Sequence, residues 1–346
     1  MGIISAKAIR TILVATNQLQ SVGGSETFTY TLIEELKERR EFDVEYFTFE
    51  KGLISSKIEL ELKIPFMSKN KYDLIFANHN RVVNHLYGKG FILQTCHGIF
   101  PKLEQPSYKS DAFVSISQEV QSHLANLGFS SKIILNGINL NRFRPLRNVS
   151  DELKSVLSLC HSKAANNMIK KICDQNKIKY LEAFKYNDPR WSIEKIINEA
   201  DMVIGLGRSA YEAMACGRPV IVYDDRDYFE SYGDGYVKPI LGLSLMHNCS
   251  GRYSKNKYDE STLELEFLKY SSKDFAFFRK FAIRELDIKK NVDFYFEYID
   301  NILEFKKKAR QRKRIDVHEK IGIQKVTKLF KRIAKRVRRY YSNIVK

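Results

Sequence analysis

From Thr11 to Leu135, short apolar runs alternate with stretches in which apolar positions recur every three or four residues. The runs TILVAT, VEYFTF, YDLIFAN, FILQTC, AFVSIS and KIILNG are short and mostly apolar, which predicts strands. Between them, SETFTYTLIEELKERR and SQEVQSHLANLG carry helical spacing. Repeated strand-then-helix order predicts parallel strands joined by crossover helices, hence a doubly wound α/β domain. Asn136 to Pro145 then forms its exit, because NG is a turn dipeptide and Pro145 discourages any continuing helix.

The alternation resumes in SVLSLC, AANNMIKKICDQN, IKYLEAF, SIEKIINEA, DMVIGL, SAYEAMACG and PVIVYD, which predicts a second, shorter α/β domain with four strands before Asp225. Asp225 to Asp259 is weakly periodic and yields no element. Three helical patterns follow from Ser261 to Phe305. The expected organisation is therefore a first α/β domain over 1–145, a second over 146–270, helices over 271–306 that cross back toward the first domain, and a tail over 307–346. Open parallel sheets take ligands beyond the carboxyl ends of their strands, so chemistry is expected in the loops after those strands.

Composition supports two real cores, with 346 residues of which 44% are hydrophobic. The five cysteines Cys96, Cys160, Cys173, Cys216 and Cys249 show neither CxxC nor finger spacing. They predict buried, reduced thiols in a cytoplasmic chain rather than a zinc site. The segment MGIISAKAIRTILVATNQL reads as a lead into the first strand, not as an export signal. No window reaches the roughly 18 apolar residues of a membrane span, so any membrane contact is expected to be peripheral.

Charge changes the picture at one end. Of the formal +17, the stretch from Lys306 to Lys346 carries 17 Lys or Arg against two acids, Asp316 and Glu319, a surplus of fifteen. The rest of the chain is nearly neutral. Within IGIQKVTKLFKRIAKRVRRYYSNIVK, apolar Val326, Leu329, Phe330, Ile333, Val337, Tyr340, Tyr341 and Ile344 recur at helical spacing. Basic residues fill the other positions, among them Lys328, Lys331, Arg332, Lys335, Arg336, Arg338 and Arg339. Such a helix suits an anionic membrane surface, at about 1 kcal/mol per basic residue. Packing on the protein itself or a solvated tail are the bland alternatives. Nucleic acid would also match the charge, but no base-reading module accompanies it.

Three loops carry candidate chemistry. In NQLQSVGGSE, Gly23 and Gly24 admit close backbone approach and Ser25 is placed to cap a helix whose N–H groups favour an anion, although a plain turn has the same appearance. In QTCHG, His97 follows a strand and can act as base, acid or donor, or simply close a loop; His79 is a weaker case of the same kind. In GLGRSAYEAMACGRPVIVYD, Gly205 and Gly207 follow a strand while Arg208 and Ser209 open a helix. A helix N-terminus, a hydroxyl and a guanidinium together suit a diphosphate, and Glu212 lies one turn in, within reach of ribose hydroxyls.

The strings GGSE, HG, SISQEVQSHL, NGINLNRFRP and EAMACGRPVIV, in this order, resemble glycosyltransferase family 4 over residues 9 to 306. The resemblance implies the GT-B fold, two Rossmann-like domains facing across a cleft, here with a basic C-terminal amphipathic helix added. It implies transfer of a hexose, with retention, from a nucleotide-diphosphate sugar to a glycan or polyprenyl-linked acceptor. No cofactor or metal is implied, because helix ends and basic groups stabilise the leaving diphosphate. By the same resemblance Glu212 holds the ribose, Gly23 and Gly24 flank phosphates and acceptor, and His97 adjoins the transferred sugar. Two departures stand out. Ile204 occupies the position of a second family glutamate, and only His161 and Lys163 remain where the family has Arg and Lys, leaving Lys163 and Arg208 to share the diphosphate. A catalytically silent tether for a glycan-assembly complex and a nucleotide-sugar epimerase are the competing readings. The implied setting is cell-surface polysaccharide synthesis at the inner face of the membrane.

Overall fold

The computed structural model describes residues 9–183 and 191–304. Compactness divides the chain into a body, Ile9–Phe296, and a second unit made of Met1–Ala8 with Glu297–Lys346. Of that second unit only 297–304 are described, and they are helical. The basic positions Lys328 to Arg339, with Phe330, lie outside the described residues. Among those that are described, no helix is long and apolar enough to cross a membrane.

The body holds two sheets. The first contains β1 (Thr11–Gln18), β2 (Asp43–Glu50), β3 (Leu74–Ala77), β4 (Phe91–Cys96), β5 (Ala112–Ser115) and β6 (Lys132–Ile133) in the order β2-β1-β3-β4-β5-β6, all parallel. Its helices are α1 (Gly24–Glu38), α2 (Leu53–Leu60), α3 (Asn80–Leu86) and α4 (Gln118–Asn126). Six consecutive residues of β1 are buried, as expected of a strand with cover on both faces.

The second sheet contains β7 (Ser155–Ser158), β8 (Lys179–Glu182), β9 (Met202–Ile204), β10 (Val220–Arg226) and β11 (Ser231–Tyr236), ordered β11-β10-β9-β7-β8. Only β11 runs antiparallel. Its helices are α5 (Lys163–Gln175), α6 (Ile193–Glu199), α7 (Arg208–Ala215), α8 (Leu241–Met246), α9 (Glu260–Phe267) and α10 (Asp274–Glu285), and a further helix begins at 288. The region without sequence periodicity thus supplies an edge strand and a short helix. All five cysteines are buried and unbonded.

Chain order reverses between β1 and β3 in the first sheet and between β7 and β9 in the second. At such a reversal the flanking helices leave to opposite faces and open a crevice at the carboxyl ends of the strands. The loops after β1 and β3, and after β7 and β9, are therefore positioned by topology to line a site.

The end of α7 is fixed by its last turn. Gly217 has φ +72°, and the Arg218 and Gly217 N–H groups donate to the carbonyls of Ala213 and Met214, both at 2.9 Å. This pattern needs a left-handed residue after the helix, and Pro219 then prevents continuation. A Cβ at 217 would also fall 2.8 Å from the Phe275 ring. Gly217→Ala should therefore destabilise the fold by about 1–3 kcal/mol, measured as a lower urea midpoint with unchanged m-value.

Candidate functional site

Both reversal points open onto one cavity. It is lined by Val22, Gly23, Gly24, Thr27 and Thr31 of the first half, by Arg142 and Phe143 of the connection, and by Leu159, His161, Ala183, Trp191, Ile193, Arg208, Ser209 and Glu212 of the second. Its empty space, including the part open to solvent, is about 850 Å³, within the range of small-ligand sites.

Three helices begin at or beside this space. Helix α1 starts after Gly23 and α7 after Gly207, and neither has a side-chain cap. Apart from Ser209 N–H, which donates to the Leu206 carbonyl at 3.2 Å, their first-turn N–H groups are left for a ligand. Gly207 has to be glycine, because its φ of +55° with ψ −122° is closed to other residues. At α5, Ser162 caps the helix by accepting from Ala165 N, and His161 precedes it on the cavity wall. The positive ends of three helix dipoles therefore converge from two sheets. Ser25 departs from expectation: it is not the cap of α1 but lies inside its first turn and donates to Glu26 Oε2 at 3.1 Å. Extended Gly23 takes the cap position instead, with bare backbone facing the cavity.

Arg208 and Glu212 form the buried centre of the site. Arg208 Nε donates to Glu212 Oε1 at 2.9 Å, Nη1 to the Gly137 carbonyl at 3.1 Å and Nη2 to Thr31 Oγ1 at 2.9 Å. The guanidinium thus ties α7 to the connection and to α1. Glu212 keeps Oε2 without a hydrogen-bond partner among the described residues, on the cavity wall. Burial raises the Glu212 carboxyl above its ordinary range although Arg208 opposes the shift, and burial lowers Arg208.

Arg142 and Trp191 were not legible as site residues. Asn139 Oδ1 accepts from the backbone N–H of Asn141 (2.9 Å) and Arg142 (3.2 Å), a side-chain turn that aims Arg142 into the cavity. Its guanidinium lies 4.4 Å from the Trp191 ring centre, and Nε donates to Glu194 at 3.2 Å. Lys163 opens α5 but is exposed and is not part of the cavity wall. Gly205 packs the β9–α7 turn against Leu159, where a Cβ would meet Leu159 Cβ at 3.3 Å. Ile204 is fully buried in the core beneath the sheet, packed with Val156 and Ile221, so that position sends no side chain to the cavity.

His97 stands apart from the cavity wall. It follows β4, is half-buried, lies 3.3 Å from Asn78 Oδ1 through Nε2 and meets Phe28 edge-on at 4.9 Å. Burial, then the fields of His79 and Arg208, push it down to about 3. His79 Nδ1 accepts from Asn17 N at 3.1 Å, which puts the proton of the neutral ring on Nε2. Burial pushes His79 down to about 4. Both rings are therefore neutral at pH 7.

The fold has known counterparts. A glycosyltransferase from Rickettsia africae superimposes with a TM-score of 0.56 at 12% identity, covering 85% of this chain and 99% of that one. The glycosyltransferase of kitacinnamycin does so with 0.51 at 8% identity, covering 84% and 98%. No family model matches the sequence, and no curated protein matches it. With two largely parallel α/β sheets bordering one cleft, these likenesses show the two-domain GT-B fold.

Two outcomes check this account. Ile204→Glu should not add a functional carboxylate but should cost several kcal/mol of stability, roughly 3 or more, seen in urea unfolding, because it buries an unpaired charge. Acid sensitivity should come from the histidines. Their folded pKa values lie below the unfolded value near 6.5, so stability is full above it and falls as pH drops toward about 4 for His79. His79→Asn, which keeps the acceptor for Asn17 N, should flatten the loss of stability between pH 6.5 and 4 in a urea series.

Proposed function

We propose that this protein transfers a hexose from a nucleoside-diphosphate sugar to a glycan acceptor, in a GT-B cleft. The observation that carries the reading is the convergence of uncapped N-termini of α1 and α7 with the free Oε2 of Glu212 on one cavity. The helix ends supply fixed positive potential for a leaving diphosphate, with no metal required by the reading. Glu212 Oε2 is an acceptor for ribose hydroxyls. The apolar wall of Leu159, Phe143 and Trp191 suits the flat face of a base or sugar ring. Ser209, in the first turn of α7, offers a hydroxyl without a partner among the described residues.

The finer reading extends the resemblance: a polyprenyl-linked acceptor, retention of configuration, and peripheral attachment at the cytoplasmic face of the membrane through the basic tail, in surface-polysaccharide synthesis. The glycosyltransferase activity named for the Rickettsia protein agrees with the reaction class. One observation favours the silent tether instead, namely the core position of Ile204 where a donor-binding glutamate is expected.

The discriminating experiment is a thermal-shift screen of UDP-, GDP- and CMP-sugars. One base class should raise Tm, since a ligand that binds only the folded form stabilises it by mass action. Gly24→Asp is the matching variant. A Cβ at 24 meets nothing within 4 Å, and an acid in the first turn of α1 should leave Tm unchanged or slightly higher. The same carboxylate stands in the anion site, so donor affinity should fall at least about tenfold, some 1.4 kcal/mol. A silent tether would show no ligand shift in either protein.

A further inference from the structure

Among the described residues, the crossover from β4 to β5 is the one connection of the first sheet without an α-helix; residues 97–111 fill it with a loop and the 3₁₀ turn Lys102–Glu104. Specific bonds hold this loop in place. Gln94, fully buried on β4, donates from Nε2 to the Gln105 carbonyl at 3.0 Å, and its Oε1 accepts from Ser107 N–H and Ser110 Oγ, each at 2.9 Å. A buried amide is costly unless bonded, so this strand position is committed to fixing the loop. Ser107 Oγ is also 3.1 Å from Asn84 Oδ1 on α3, and Gln105 Oε1 is 2.7 Å from His123 on α4.

What the anchoring presents is unusual for a water-facing loop. Ser110 N–H donates to the Ser107 carbonyl at 3.0 Å, a β-turn with Tyr108 and Lys109 at its two corners. Both ends of the turn hang from one glutamine oxygen, and the corners point outward. Tyr108 is 88% exposed, the highest value among the large apolar side chains described. Its ring centre lies 4.7 Å from that of Phe129, and Lys109 Nζ lies 5.5 Å from the ring centre of exposed Tyr87. Leu127, two residues before Phe129, is exposed as well. Of the loop's acids, Glu104 is half-buried and Asp111 is tied to the Ile92 N–H at 3.0 Å, which leaves Lys109 as the charge beside the exposed rings.

We propose that this anchored turn, with Tyr87, docks the folded body on the interface of an anionic bilayer; this rests on the peripheral attachment proposed above and adds to it a contact separate from the basic tail. A tyrosine has an apolar body and a polar tip, and is favoured where a bilayer meets water. A lysine lays its stem along such rings and carries its ammonium to lipid phosphate. The bonds to Gln94 keep these side chains from folding inward, so the contact is formed before the bilayer is met. Nucleic acid fits less well, since one lysine among rings and a leucine gives few phosphate contacts. The loop begins at the carboxyl end of β4, where Phe100 stacks on Phe229 of the second half at 6.1 Å. The docked flank therefore continues to the edge of the cleft, where a lipid-linked acceptor has to enter.

The test uses the full chain, wild type, Tyr108→Ser and Lys109→Glu, sedimented with vesicles of phosphatidylcholine alone or of equal parts phosphatidylcholine and phosphatidylglycerol. Wild type should bind the anionic vesicles, and each variant should bind them about fivefold or more weakly, with Tm unchanged because both side chains are exposed. A local probe separates this face from the tail. The five native cysteines are all buried, so an acrylodan label on Tyr108→Cys should shift to the blue on anionic vesicles, while the same label on Leu268→Cys, exposed at the end of α9, should not. Equal vesicle binding by variants and wild type, no shift of the label at 108 in the bound protein, or an equal shift at 268 each overturns the assignment. So does a loss in the variants that appears with duplex DNA at the same ionic strength and not with vesicles. If wild type binds neither vesicle, the attachment reading itself has failed, and this docking surface falls with it.

Discussion

The organisation of the site depends on one buried guanidinium. Arg208 reaches Glu212 on its own helix, the Gly137 carbonyl in the connection and Thr31 on α1. Three bonds to three segments fix the angle at which the second sheet meets the first and leave one carboxylate oxygen facing the cavity. A guanidinium suits this because its donors are rigidly forked and stay charged when buried. Removing it would strand Glu212, and the cost of an unpaired buried carboxylate exceeds the worth of the pair itself. Arg208, expected at a diphosphate, lies on the cavity wall and is at the same time engaged with these three protein partners.

A second tie closes the opposite side of the cleft. Glu119 at the start of α4 receives Arg252 through both oxygens and lies 3.1 Å from His247 Nδ1, while Phe100 stacks on Phe229 at 6.1 Å. The residues on one side of each contact come from the first half and those on the other from the second. With Arg208, these contacts bracket the cleft at both ends and describe a closed arrangement. Their groups are only partly buried at Glu119 and Arg252, so opening exposes charges that water solvates well, a modest cost compared with separating Arg208 from its three partners.

Most strands were legible because a parallel sheet covered on both faces demands uninterrupted apolar runs, and TILVAT, FILQTC or DMVIGL are such runs. The α7 string was legible for a different reason. Its glycines are imposed by left-handed backbone at 207 and 217, so motif and geometry coincide. Short elements escaped. The eight residues of α2 and seven of α3 are too few to show a period, and β11 is masked by Gly233 and Gly235, which exist to let Tyr258 and Glu266 approach. Arg142 and Trp191 reach the cavity through long-range contacts that a local pattern cannot encode. The turn formed by Asn139 was the available signal for Arg142, and the lone tryptophan of the chain was the available signal for Trp191.

Polarity is divided between the two sheets in a way that follows from their sequences. The second half contributes the uncapped α7 terminus, Arg208 and a carboxylate for hydroxyl groups, all suited to holding a charged donor still. The first half contributes the uncapped α1 terminus beside His79 and His97, both neutral at pH 7. Imidazoles held neutral add no charge of their own beside that helix end. Fixed dipoles attract an anion without burying a charged side chain, so a helix end flanked by neutral rings keeps its positive potential directed at the cavity.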